Sequence, residues 1–381
     1  MFRIRRLTKA DVMLHSEGIA VEELVHFSNL LNCRMGGAKL DDCSRGVKAE
    51  HIDTELQMGD DSFTNERVFV DYGSYEYRQA SFLHSFVVDC AASCIGHGSF
   101  GQVFRGIETT SGVQVAIKKM AKNNVKPNEL KVMQSVSSRF LVALIDVCID
   151  DADSAYIIME LCDIDLEHHL KYCTPSGALS KNELRTLMDN VIRGYKALYD
   201  CCIVHRDIKP QNILIKYGPI GRELESAKIS DFGISRILDE EQEEALSNVA
   251  GTFYYMAPEV GANLLRTCGY DYQVDMWSLG CLFYQCITGQ VPFDERSLCR
   301  IFLYAACGNY EAYEKPELPA ATEEELELIV SSLLEIDRNK RITPSEIYAA
   351  VCAWSSSGAS CISDDVYSYQ SDDRRASITY V

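Results

Sequence analysis

The residues best suited to chemistry lie in one short string, His205-Arg206-Asp207-Ile208-Lys209-Pro210-Gln211-Asn212. It sets a carboxylate, a fixed cation and an amide close together. A second carboxylate follows in Asp231-Phe232-Gly233. In-line movement of a phosphoryl group asks for such a set: a carboxylate near the attacking hydroxyl, a cation near the group in transfer, and oxygen ligands for a metal ion. Asp207 suits the first role, Lys209 the second, and Asn212 with Asp231 the third. Each string alone arises by chance; their order and separation together are hard to explain otherwise.

Upstream stands Gly96-His97-Gly98-Ser99-Phe100-Gly101-Gln102-Val103. A lone G-x-G-x-x-G is weak evidence and could open a dinucleotide fold, in which a helix follows. Here Val103-Phe104-Arg105-Gly106 continues as strand. Strand, glycine loop, strand makes a hairpin whose backbone amides can close over phosphates, and a Cβ would block that approach. On the following strand, Val115-Ala116-Ile117 leads into Lys118. Between Lys119 and Ile145 the only carboxylate is Glu129, which makes it the sole local partner for Lys118. Such a pair would hold the lysine ammonium against phosphates.

These residues need elements to position them. From Phe86 to about Ile158 the chain reads as short β-branched strands, interrupted by one helical segment near Asn128–Val136. After Leu166 it turns helical, with helices expected over Lys181–Tyr199, Val274–Thr288 and Glu323–Leu334. A strand-rich piece followed by a helix-rich piece predicts two lobes with a cleft between them. Residues 1–85 form an N-terminal extension with a helical period over Ser16–Leu31 and an aromatic-rich stretch, Val68–Tyr77; residues 86–354 carry the chemistry; residues 355–381 form a polar tail expected to be disordered.

From about residue 86 to 354 the chain resembles the eukaryotic protein kinases of the serine/threonine type, with every signature string in order. That resemblance implies an α+β bilobal fold, a β-rich N-lobe over a helical C-lobe, with ATP and Mg2+ in the cleft. Asp207 would be the catalytic base, and Asn212 and Asp231 the metal ligands. Ile95, Gly96, Gly98 and Gly101 would cover the nucleotide. Val103, Ala116 and Leu214 would sandwich the adenine, with Met159 as gatekeeper and Glu160, Leu161 and Cys162 as the hinge that hydrogen-bonds its edge. Glu259, in Ala257-Pro258-Glu259, would pair with Arg341, and Asp275 would anchor the backbone of the catalytic string. Serine/threonine specificity is implied by Lys209 following Asp207 and by Gly251-Thr252 ahead of Tyr255-Met256-Ala257-Pro258-Glu259. Shorter strings resemble the autophagy-initiating (Atg/Unc-type) group, with NIMA-related kinases as the other subgroup.

Pro127 stands just before Glu129, and proline suits a helix start. The helix that carries Glu129 is therefore expected to begin near Asn128 and to be short, with the extension packed on its truncated side. The activation segment offers Ser247 and Thr252 as hydroxyls. Thr252 is expected to touch Asp207 and Lys209; Arg206 would meet either a phosphate on the segment, with Ser247 as the candidate hydroxyl, or a carboxylate of the acidic run in its place. The run Asp239-Glu240-Glu241-Gln242-Glu243-Glu244 is expected to be a solvated loop.

The bulk numbers narrow the partners. The chain has 381 residues, 47% hydrophobic and 24% charged, with a formal net charge of −19. That balance argues for a soluble globular protein and against nucleic acid or an anionic membrane as partner. No apolar run is long enough to span a bilayer and no signal core follows Met1, so protein substrates in the cytoplasm, or the nucleus, are expected. The 16 scattered cysteines are expected to be reduced thiols, mostly buried. The tail's Arg374-Arg375-Ala376-Ser377 resembles a basophilic kinase target, and the terminal Thr379-Tyr380-Val381 a PDZ ligand; strings this short recur by chance and inertness is the favoured reading. A scaffold that has lost catalysis is disfavoured because Lys118, Asp207, Asn212 and Asp231 are all present. A small-molecule phosphotransferase is disfavoured because both Glu259 and Arg341 are present. Ile234, just after the Asp231-Phe232-Gly233 string, is β-branched, as in threonine-preferring members. A positional peptide array is therefore expected to be phosphorylated better on threonine than on serine; the reverse preference would refute that reading.

Overall fold

A computed structural model describes residues 86–88, 94–98, 101–149, 154–219, 221, 223–232, 235–237, 253–263 and 271–356. The expected helix over Ser16–Leu31, the stretch Val68–Tyr77, Ile234, Ser247, Thr252 and the tail with Val381 lie outside these residues.

Six strands form one antiparallel sheet: β1 (Phe86–Val88), β2 (Cys94–Gly98), β3 (Gly101–Glu108), β4 (Gln114–Ala121), β5 (Leu144–Ile149) and β6 (Ser154–Glu160). Their order is β1-β3-β4-β6-β5, with β2 paired on β3. Period-two alternation divides the sheet into two faces. Val115, Ile117, Tyr156 and Ile158 pack with Phe86 on one. Met120, Ala155 and Ile157 pack on the other with Leu130 of α1 (Pro127–Ser135). Lys118 is in step with Met120, so it points to the α1 side. Lys126 stands at the N-terminal boundary of α1 with no side-chain cap, and proline occupies the first turn, as the sequence predicts; Glu129 sits in that turn too.

The chain leaves the sheet at Glu160 and enters the second lobe through β7 (Ile164–Asp165) and α2 (Leu166–Tyr172). Then come α3 (Lys181–Asp200), β8 (Ile203–Val204), β9 (Ile213–Tyr217), β10 (Leu224–Ile229), β11 (Arg236–Ile237), α4 (Pro258–Asn263), α5 (Gln273–Thr288), α6 (Glu295–Cys307), α7 (Glu324–Leu333) and α8 (Pro344–Ser356). The three long helices read from the sequence recur within one residue at each end. Ser180 and Glu183 form a reciprocal capping box that starts α3. Gly289 closes α5 at φ +77°, where a Cβ would press on the Ser176 carbonyl oxygen. The core centres on α3 and α5, whose Leu187, Val191, Trp277 and Leu282 are fully buried.

The lobes are joined by more than the hinge. Residues 140–142, between α1 and β5, pair with the end of β10: Ile229 N donates to Phe140 O at 2.9 Å and Val142 N to Ile229 O at 2.9 Å. Val132 of α1 belongs to the core of the helical lobe, although Leu130 belongs to the sheet.

Cys281, Cys286 and Cys299 are buried, but Cys94, Cys201 and Cys202 are exposed, which corrects the expectation that the cysteines are mostly buried. Among the described residues, no helix is long and apolar enough to cross a membrane.

Gly194 lets α3 approach the joining segment. A Cβ there would lie 2.7 Å from the Phe140 carbonyl oxygen, the acceptor of Ile229 N. Gly194→Ala is expected to lower unfolding free energy by about 2 kcal/mol, read as a lower urea midpoint; an unchanged midpoint would contradict this packing.

Candidate active site

The candidate catalytic string, residues 205–212, is shaped by a buried carboxylate on α5. Asp275 is fully buried and accepts His205 N at 2.6 Å, Arg206 N at 2.7 Å and the Tyr195 hydroxyl at 3.1 Å. Burial pushes its carboxyl above the usual range, opposed by His205 and by these donors. Burial likewise raises the Tyr195 phenol well above its ordinary value, with the Asp275 charge adding to it. The two amide bonds hold Arg206 at φ +72°, the left-handed region that a side chain rarely adopts. His205 Nδ1 accepts Asp207 N at 3.3 Å, so its proton is assigned to Nε2, 3.0 Å from the Ser230 carbonyl oxygen.

Three predicted residues then meet. Lys209 Nζ donates to Asp207 Oδ2 at 2.8 Å, and Asn212 Nδ2 donates to the same oxygen at 2.9 Å and to Asp207 O at 2.8 Å. Asn212 O accepts Ser230 N at 2.9 Å, which brings Asn212 beside the strand end that leads to Asp231. Asp231 has φ +61° and a part-exposed carboxylate, while the next residue, Phe232, is buried against the His205 ring at 5.5 Å.

The opposite wall comes from the sheet. Lys118 Nζ lies 2.6 Å from Glu129 Oε1 and 4.0 Å from Asp231 Oδ1, so one cation spans both lobes. The short α1 therefore still delivers Glu129, which is buried. Val103 and Ala116 lie on β3 and β4, and Leu214 lies on β9 of the other lobe. Ile95 is exposed at the rim. The glycines differ in their reason. At Gly101 a Cβ would collide with the Lys119 carbonyl oxygen of β4, so the fold itself requires glycine there. At Gly96 a Cβ would meet, among the described residues, only Val103 Cβ, at 3.9 Å. Gly98 ends β2.

The Glu160 side chain of the hinge meets two lysines that the sequence did not flag. Glu160 Oε1 lies 2.5 Å from Lys216 Nζ on β9, and Oε2 lies 2.9 Å from Lys228 Nζ on β10. Burial pushes the Glu160 carboxyl up, but hydrogen bonds from the two lysines outweigh it and the net shift is downward. Burial, then the Glu160 charge, raises the Cys162 thiol to about 11. A lysine inside an otherwise apolar strand, as in Ile213-Leu214-Ile215-Lys216, is the one local sign of this cluster. Tyr195 was missed as well, because nothing in its helical position distinguishes it from a core residue.

Glu259, at the start of α4, meets Arg341 in a two-pronged pair, 2.8 Å and 3.1 Å. The Arg341 side chain is fully buried. It also donates to Gln273 O at 2.6 Å and Glu335 O at 2.8 Å, and it lies 5.3 Å over the Trp277 ring. Ser247 and Thr252 lie outside the described residues.

Among the described residues, no group of three or more His, Cys, Asp and Glu side chains converges to cage a metal. Asn212 spends its amide N–H groups on Asp207, which leaves the amide oxygen as a hard donor near the Asp231 segment. That donor set suits Mg2+, which takes few protein oxygens and completes its shell with water and phosphate.

The sequence model described as a protein kinase domain matches residues 91–351. The chain is 32% identical over 271 residues to human serine/threonine-protein kinase ULK1, covering 67% of this chain and 24% of that relative. It is 29% identical over 268 residues to serine/threonine-protein kinase RAD53 of Saccharomyces cerevisiae, covering 66% and 31%. It is 29% identical over 262 residues to serine/threonine-protein kinase fused of Drosophila melanogaster, covering 67% and 30%. The chain thus spans under a third of each relative's length. The ULK1 similarity fits the resemblance to the Atg/Unc-type group.

Asp275→Asn would turn one acceptor oxygen into an amide facing the N–H groups it should receive. It is expected to cost about 1–3 kcal/mol of unfolding free energy in urea; no measurable cost would mean that the string holds its shape without this carboxylate.

Proposed function

The chain belongs to the protein kinase family, and we propose that it is a serine/threonine protein kinase that moves the γ-phosphoryl group of ATP to a hydroxyl on a protein. The observation that carries this reading is the convergence of Lys209 and Asn212 on one oxygen of Asp207, at 2.8 Å and 2.9 Å. A fixed carboxylate flanked by a cation and an amide suits in-line transfer, where positioning and charge do most of the work.

In this reading Asp207 orients the substrate hydroxyl and takes its proton. The hydroxyl oxygen bonds to the γ-phosphorus as the bond from that phosphorus to the β,γ-bridging oxygen breaks, leaving ADP. Lys209 offsets the negative charge on the group in transfer. Lys118, steadied by Glu129, holds the α- and β-phosphates. Gly96, Gly98 and Gly101 let backbone lie close over the phosphates, with Ile95 at the rim. Val103 and Ala116 cover the adenine, Leu214 underlies it, and the backbone of Glu160 and Cys162 pairs with its edge. Asn212 and Asp231 would hold Mg2+, which when bound neutralises phosphate charge. The Glu259–Arg341 pair supports a protein acceptor, since it locks the segment that would present one.

Magnesium-dependent transfer of γ-phosphate to a generic protein is expected from the wild type. Asp207→Asn is expected to lower kcat by about a thousandfold, with nucleotide binding retained. Equal incorporation by both proteins would overturn the mechanism.

A further inference from the structure

We propose that the Glu160 side chain is a positioning residue that fastens the hinge to the β9–β10 hairpin and so sets nucleotide affinity. This rests on reading the cleft as the nucleotide site. The hinge role assigned above uses only the Glu160 backbone, and nothing in that role needs a carboxylate. Yet the carboxylate is mostly buried and bridges two lysines of the other lobe, at 2.5 Å and 2.9 Å.

What the lysines stand next to gives the contact its meaning. Lys228 faces Leu214, the adenine floor, across the β9–β10 register. Asp231 lies three residues beyond Lys228 on the same strand path. Lys216 lies two residues beyond Leu214 on β9. The backbone of Glu160 is held from the sheet side as well, where its N–H donates to Ala143 O at 3.0 Å. Asp163 already ties the segment after the hinge to β9, through its N–H to Ile215 O at 2.9 Å and its Oδ2 from Tyr217 N at 2.8 Å; the Glu160 carboxylate adds the side-chain tie from the end of the sheet strand to both strands of the hairpin that carries the floor. The spacing between that strand and the hairpin is the height of the adenine slot. A slot held at the right height binds without first having to be ordered.

Without the carboxylate, two nearby cations lose the counter-charge they share, although Asp163 still acts on Lys216, and removing one partner of a largely buried ionic cluster is costly. The hairpin then shifts from the hinge and the slot loosens. The catalytic string is held separately, by Asp275, so chemistry on bound nucleotide should change little. The Cys162 thiol reports on the same cluster. Glu160 contributes to its raised pKa, while Lys216 and Lys228 pull the other way. Loss of the carboxylate alone must therefore lower that pKa and speed alkylation.

The full chain is compared with Glu160→Gln, Lys228→Met and the exchange Glu160→Lys with Lys228→Glu. Dissociation constants for Mg·ADP come from calorimetry, KM for ATP and kcat from phosphate transfer, and iodoacetamide labelling of Cys162 from peptide mass spectrometry. Glu160→Gln is expected to raise both Kd and KM about tenfold, to leave kcat within threefold, and to speed Cys162 labelling. Lys228→Met is expected to raise Kd as well, which keeps the test alive if Glu160→Gln fails to fold. The exchange, which rebuilds one carboxylate between two ammonium groups, is expected to restore Kd to within threefold. A Kd within twofold of wild type in both single variants, or a fall in kcat with Kd unchanged, would overturn the proposal. A wild type that binds Mg·ADP but transfers no phosphate would sink the kinase reading and leave the Kd comparison to judge Glu160 alone.

Discussion

A carboxylate sealed from water persists only if donors converge on it, and Asp275 meets that demand with the backbone of the segment that carries the chemistry. Because the donors are the amides of His205 and Arg206, satisfying the buried charge dictates the path of the main chain. Arg206 is held at a φ that costs roughly 1–2 kcal/mol, and Asp207 leaves the turn toward Lys209 and Asn212. The effect extends further. The ring of His205 reaches Ser230, Ser230 reaches Asn212, and Asp231 follows on the same strand path. A bond network rooted in α5 thus runs to both prospective metal ligands.

The other buried charges obey the same rule at other seams of the fold. Arg341 satisfies its guanidinium with Glu259 and with backbone carbonyls from the start of α5 and the end of α7. Lys118 and Glu129 join the sheet to α1, and Glu160 with Lys216 and Lys228 joins the hinge to the helical lobe. Each cluster lies where two pieces must sit in one relative position. Hydrophobic packing tolerates small slips, whereas an ion pair at 2.5–2.9 Å loses most of its value when displaced. Net stabilisation from such pairs is small, and their value here is registry.

The N-terminal sheet needs that registry because its own packing is thin. Its two faces carry small clusters, and one of these depends on Leu130 from a nine-residue helix. That helix is shared, with Val132 buried in the core of the helical lobe. Residues 140–142 pair with β10 in the same neighbourhood. Glu129 is thus positioned by both lobes, which lets a short helix deliver a buried carboxylate to Lys118.

Much of this was legible in local pattern. The Pro127 helix start, the long helices, the strand–glycine–strand hairpin and the pairing of Lys118 with the only nearby carboxylate all rest on short-range rules: propensity, capping, alternation and elimination. So does the candidate catalytic set, since Asp207, Lys209 and Asn212 lie within six residues of chain. Other features depend on residues far apart in sequence. Glu160 meets Lys216 and Lys228 only because the hinge crosses the β9–β10 hairpin, and Tyr195 reaches Asp275 only because α3 packs against α5. Gly101 is required by a neighbouring strand whatever its part over a ligand. By itself the sequence determined which side chains could do chemistry and which elements would carry them. Tertiary structure decided which buried charges found partners, because burial and partnership are properties of the packed chain, and no spacing along the sequence encodes them.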